Sequence, residues 1–98
     1  MTSYNRVNGL HAAEHPRLLR EILRRDFGFK GMVISDWSGT YSSSEAIKAS
    51  LDLEMPGPSI MRGPCLERDI IGGKLTPADI DECVLRVSGP SAIVSLYI

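Results

Sequence analysis

The stretch Gly31-Met32-Val33-Ile34-Ser35-Asp36-Trp37 constrains this chain most. Three apolar residues follow a glycine without a break. Polarity then changes at once to a serine, a carboxylate and the only tryptophan, with Gly39 close behind. A short apolar run bounded by glycine reads as a buried strand. In α/β folds with parallel strands, chemistry collects at the carboxyl ends of those strands. The run therefore predicts that Asp36 faces a pocket and that Trp37 forms one wall of it.

The surrounding sequence supplies helices for such a strand. Residues 1 to 4 read as the end of an earlier strand, and residues 5 to 14 as a loop turning at Asn8-Gly9. Pro16 suits the first turn of a helix. From Leu18 onward, Leu19, Ile22, Leu23 and Phe27 form an apolar stripe, with Arg17, Arg20, Glu21, Arg24 and Arg25 on a solvated face. Gly28 is a natural stop. Ser42 to Glu45 fits a capping box, with Ser42 accepting at Glu45, ahead of a two-turn helix carrying Ala46, Ile47 and Ala49. Leu51-Asp52-Leu53-Glu54-Met55 alternates apolar and acidic residues until Pro56-Gly57-Pro58, which predicts a short strand whose acids point to a polar side. Leu66, Ile70 and Ile71 suggest another helix, ended by Gly72-Gly73. Thr76-Pro77 starts a further one, with Thr76 as cap and Ile80, Val84 and Val87 as its apolar face. Gly89-Pro90 is expected to break that helix, leaving an apolar tail from Ser91 to Ile98. Helices between successive strands demand crossovers and hence parallel strands. The expected fold is α/β, with about three parallel strands and flanking helices.

At 98 residues the chain suffices for one small domain, and its net charge of −1 offers nothing to nucleic acid or to a membrane surface. No apolar stretch is long enough to span a bilayer. Met1-Thr2-Ser3-Tyr4 shows no basic region ahead of an apolar one, so no signal peptide is expected. The chain reads as starting inside an element, as a segment of something larger would. Cys65 and Cys83 make no disulfide framework and read as small buried groups. His11 and His15 lack the further Cys or acid of a zinc spacing, so no metal is expected. A phosphate loop is absent, and Ser35 lacks the glycines of a nucleophile elbow.

Three residues stand out as candidates for chemistry. Asp36 reads either as a loop-satisfying aspartate or as a nucleophile. Trp37 reads either as half-buried packing or as a platform for the face of a sugar ring. Tyr4 reads either as core packing or as a hydrogen-bond donor that holds the nucleophile. Glycoside cleavage commonly uses two carboxyls, about 5 to 5.5 Å apart in retaining enzymes. Asp52 and Glu54 are the other acids to weigh for the second, although Asp52 suits tying down backbone at a strand end.

Met1-Thr2-Ser3-Tyr4-Asn5-Arg6-Val7-Asn8-Gly9, the stretch 31 to 37, Gly39-Thr40, and Leu51-Asp52-Leu53-Glu54-Met55-Pro56-Gly57 closely resemble, in this order and spacing, the glycoside hydrolase family 3 β-glucosidases of fungi. The resemblance covers roughly residues 1 to 88, and implies a partial (β/α)₈ TIM-barrel-like fragment there, with residues 89 to 98 as a tail foreign to the family. It implies that Asp36 is the catalytic nucleophile, and that Trp37 and Tyr4 are substrate-binding residues. The implied reaction is cofactor-free release of terminal β-D-glucose from a β-glucoside or oligosaccharide, with retention of configuration. By the same resemblance, the acid/base is a glutamate of a following α/β sandwich domain, and other glucose-binding residues belong to earlier barrel strands. Nothing here matches either set, so the isolated chain is expected to be inactive. The alternative is a non-catalytic carbohydrate-binding or nonfunctional remnant. Members of the family are often secreted; the sequence itself fixes no compartment.

Overall fold

Asn8 and Gly9 take positive φ of 51° and 91°, the combination of a type I′ turn. The turn folds Arg6–Val7 (β1) antiparallel onto Leu10–His11 (β2), with Arg6 opposite His11 and Val7 opposite Leu10. A hairpin thus stands where the sequence predicts a loop, because a two-residue turn of this hand lets its flanks pair at once. The computed structural model describes residues 1–97, with side chains through residue 89.

A 3-10 turn, Ala12–Glu14, leads into the π-helix Arg17–Asp26. His15 joins the two. Its Nδ1 accepts from Leu18 N at 3.4 Å, and its Nε2 lies 3.0 Å from Val7 O. These partners fit the neutral imidazole with its proton on Nε2. The helix buries Leu19 and packs Leu23 against the core. Its arginines do not share one solvated face, however. Arg17 and Arg25 are exposed, while the Arg24 side chain is 11% exposed and turns inward. A π-helical turn carries more residues than an α-helical one, so a stripe counted at the α period drifts around it.

Three α-helices follow: α1 (Ser44–Ala49), α2 (Pro64–Ile71) and α3 (Pro77–Tyr97). Ala46 and Ala49 of α1 join Ala13, Leu19, Val33 and Leu51 in one apolar cluster, while Ile47 joins Leu75, Cys83 and Leu66 in another. The short helix α1 is therefore the wedge between two halves of the core. Its first amide is not capped by Ser42. Ser44 N donates instead to Asp69 Oδ2 of α2 at 3.2 Å, since a carboxylate at a helix N-terminus gains from charge and from the helix dipole. At the start of α3 the expected cap is present: Thr76 N donates to Asp79 Oδ2 at 2.9 Å, and Asp79 N to Thr76 Oγ1 at 3.4 Å. On α3 the inward residue is Cys83, while Val84 is 53% exposed. Gly89-Pro90 does not end this helix, whose backbone runs on to Tyr97. The side chains of the apolar tail lie outside the described residues.

Three regular parallel strands are not found among the described residues. Among the described residues the only ladder is the β1–β2 hairpin. The stretch through Ile34 meets the stretch through Leu53 in one parallel bridge, and Thr2 N donates to Ile34 O at 2.9 Å. Ser35 N to Leu53 O and Leu53 N to Val33 O are the rungs of that bridge. Side chains occupy the donors that would extend it. Val33 N donates to Asp52 Oδ2, and Met55 N to Ser35 Oγ, each at 2.9 Å. Leu51 O meanwhile accepts from Arg62 Nη2 and Cys83 Sγ. The pairing keeps the parallel direction expected of it but cannot lengthen into strands.

Candidate active site

The chain leaves the bridge at Ile34 and turns sharply. Gly39 N donates to Asp36 O at 3.0 Å, closing a turn over residues 36 to 39, and Ser38 within it takes φ 55°. That conformation is uncommon for a residue with a side chain. The Asp36 carboxyl accepts from Trp37 N at 2.7 Å. A Cβ at Gly39 would stand 3.2 Å from Asp36 O and 3.3 Å from the Tyr4 ring. Glycine there lets the Tyr4 phenol lie directly over the turn.

Tyr4 Oη donates to Trp37 O at 2.8 Å. Desolvation pushes the phenol above its ordinary pKa, aided by hydrogen bonding to the Asp36 carboxyl and by the charges of Asp36 and Tyr41. The hydroxyl proton goes to the Trp37 carbonyl, and the Asp36 carboxylate is near enough to raise the phenol's pKa. The structure puts Asp36 and Trp37 on one turn and sets Tyr4 against it. It does not enclose them: Trp37 is 59% exposed and Tyr4 46%. Trp37 is one wall of an open face rather than of a closed pocket.

A second aromatic pair flanks this face. The His11 and Tyr41 rings stack with centroids 3.8 Å apart. His11 Nδ1 lies 3.1 Å from Tyr4 O, and Arg6 Nε donates to His11 Nε2 at 3.3 Å. Both contacts are met by the neutral ring protonated on Nδ1. Sequence reasoning did not find this pair. The Asn8-Gly9 turn was its one available signal, since the hairpin brings His11 back beside the Tyr4 segment.

The other two acids are spoken for. Asp52, its side chain fully buried, accepts from Arg24 Nη2 and Arg86 Nε at 2.7 Å each, and from Val33 N. Glu54, 6% exposed, accepts four backbone hydrogen bonds from Ile60, Met61 and Arg62 at 2.9 to 3.1 Å. The acids predicted on a polar side are thus interior anions, each in a cradle of donors. Both are buried and committed to internal donors, so neither is placed to serve as a second catalytic carboxyl in this arrangement.

The profile of the glycosyl hydrolase family 3 N terminal domain matches residues 1–89. A protein of Aspergillus fumigatus named "Probable beta-glucosidase J" is 54% identical over 87 residues, which are 89% of this chain and 10% of that one. The β-glucosidase of Kluyveromyces marxianus, solved as a crystal structure, superposes with a TM-score of 0.82 at 40% identity over 89% of this chain and 11% of its own. β-Glucosidase 3B of Thermotoga neapolitana, solved in complex with glucose, superposes with a TM-score of 0.77 at 33% identity, over 85% of this chain and 13% of its own. The chain spans about a tenth of the length of the curated relatives it matches.

Proposed function

This chain belongs to the glycosyl hydrolase family 3 N-terminal domain, and on that premise we propose that it is the nucleophile-bearing segment of a retaining β-glucosidase. The observation that carries the reading is the turn on which Asp36, Trp37 and the Tyr4 hydroxyl meet. In the proposed reaction an Asp36 oxygen bonds to the anomeric carbon of a terminal β-D-glucosyl unit as the glycosidic C–O bond breaks. The departing oxygen takes a proton from an acid outside this chain. Water then adds to the anomeric carbon, gives its proton to the conjugate base of that acid, and frees Asp36. Trp37 offers a flat apolar face to the sugar. Tyr4 holds the turn and can turn its proton to the Asp36 carboxylate when that oxygen is not bonded to carbon. No cofactor enters either step.

The same reading makes residues 1–88 part of a (β/α)₈ barrel and 89–98 a tail beyond that barrel, the family match itself ending at residue 89. Remaining barrel strands and a second domain are then the partners that complete the site. Mechanism-based labelling tests the reading. Residues 1–89 replace the corresponding segment of one matched β-glucosidase, and the chimera is treated with a 2-deoxy-2-fluoroglucoside. The expected product is one glucosyl adduct on Asp36. Label on another residue refutes the assignment.

The exposure of Trp37 and Tyr4 favours a second reading, a sugar-stacking surface without chemistry. Titrating the chain with glucose while following its single tryptophan separates the two. A saturable emission shift in the chain, together with a chimera that never labels, supports binding alone.

A further inference from the structure

Ser35 is a hydroxyl in an otherwise apolar run, and it is fully buried. Its Oγ accepts from Met55 N at 2.9 Å. Met55 O in turn accepts from Ser38 N at 2.9 Å. The peptide that ends in Ser38 N begins with Trp37 C=O, and that carbonyl accepts from Tyr4 Oη. One peptide unit is therefore gripped at both ends, its carbonyl by Tyr4 and its N–H by Met55. It lies one residue past Asp36, beside a serine held at φ 55°. Non-glycine residues in that region persist only where surrounding contacts over-determine them. Two of those contacts are the hydrogen bonds from Tyr4 and to Met55, and the second depends on a Met55 that the Ser35 hydroxyl fixes.

We propose that Ser35 is a positioning residue: through Met55 it closes a clamp on the Trp37–Ser38 peptide and so sets where the Asp36 carboxyl and the Trp37 indole stand. The inference rests on the glycosidase reading for its purpose but on hydrogen bonds for its content. It also explains why the apolar run ends in serine. A backbone acceptor at that rung would have prolonged the strand pairing. A side-chain acceptor lets the second strand swing to Ser38, where it holds the turn. Alanine at 35 would leave Met55 N–H without its partner, and a loosened Met55 carbonyl would release Ser38 N–H.

Hydrogen exchange and tyrosine titration on the whole chain test this. Ser35→Ala should speed exchange at the Met55 and Ser38 amides about tenfold, the size of one net hydrogen bond, and leave the Leu51 amide at its original rate. The same variant should lower the Tyr4 titration midpoint, followed by ¹³C resonances of the three tyrosines, in the direction that Asp36→Asn lowers it. Ser35→Thr, which keeps the hydroxyl, should retain the original midpoint. A folded Ser35→Ala chain with unchanged Ser38 exchange and unchanged Tyr4 titration overturns the proposal. If the alanine chain does not fold, the unmodified chain decides: Met55 and Ser38 amides should be protected to a similar degree, and an unprotected Ser38 amide overturns it. These readouts involve no sugar. Label on a residue other than Asp36 would remove the glycosidase reading and leave the clamp standing, while an open clamp would leave the Asp36 label standing.

Discussion

Replacing Asp52 by asparagine should remove a large part of this chain's stability. The Asp52 side chain is fully buried between two guanidiniums, Arg24 at 11% and Arg86 at 18% side-chain exposure, each 2.7 Å from a different carboxylate oxygen. Asparagine keeps the shape but puts an NH₂ where one oxygen accepted, so at least one arginine loses its acceptor; Arg24 loses its ion-pair partner, and Arg86 keeps only the half-exposed Glu82, 3.8 Å away. Burial already pulls the Arg24 pKa below its ordinary value; Asp52 opposes this, and the like charge of Arg86 adds to it. Removing the anion leaves two cations facing each other. Breaking a buried ion pair from one side costs about 3 to 5 kcal/mol. Small domains are stable by only about 5 to 15 kcal/mol in total. At about 4 to 8 °C per kcal/mol for a domain of this size, the melting temperature should fall by about 12 °C or more. Thermal unfolding followed by circular dichroism measures it. Arg17→Ala is the control: it removes an exposed pair with Glu21 and should change stability by less than about 1 kcal/mol. A loss below about 1 kcal/mol for Asp52→Asn would show that the two arginines do not depend on this carboxylate.

Three further outcomes follow from the same geometry. Tyr4 should titrate above its ordinary value, and Asp36→Asn should bring it down; since the folded pKa is the raised one, the stabilisation it reports is complete below the unfolded value near 10 and is lost as pH rises through the folded one. Spectrophotometric titration of the two chains reads it, and identical curves would refute the contact. Glu54→Gln should speed amide exchange at Ile60, Met61 and Arg62, whose N–H groups it gathers, while exchange at Leu51 stays put; equal exchange in both chains would show that the loop stands without the anion. The chain alone should hydrolyse p-nitrophenyl β-D-glucoside no faster than its Asp36→Asn variant, because a positioned proton donor contributes about 10²- to 10⁴-fold and the two acids weighed for that role, Asp52 and Glu54, are internally bonded. Turnover that vanishes with Asp36→Asn would show that no further domain is needed.

What the sequence revealed and what it hid divide by the distance between partners. Asn8-Gly9 and the Thr76-Pro77-Asp79 start of α3 are local chemistry, and both were legible as a turn and a cap. Asp36, Trp37 and Tyr4 were legible as candidates from residue type, although Tyr4 and Trp37 lie 33 positions apart. The alternation at 51 to 55 misled, because period two assigns a face and not a partner. Asp52 meets arginines 28 and 34 positions away, and Glu54 meets amides of a loop whose shape it helps to create. Spacing alone could not distinguish those interior anions from solvated acids. The missing strands have the same origin. At one end of the bridge Asp52 takes the donor that would lengthen the pairing and spends its other oxygen on α3; at the opposite end Ser35 takes Met55 and frees the chain to brace the Asp36 turn. A longer ladder would satisfy those donors equally well. It would also carry residues 35 to 38 straight on, and the carboxylate, the indole and the phenol would no longer share a turn. The two polar residues that spoil the strand are therefore the ones that couple the core to the candidate site.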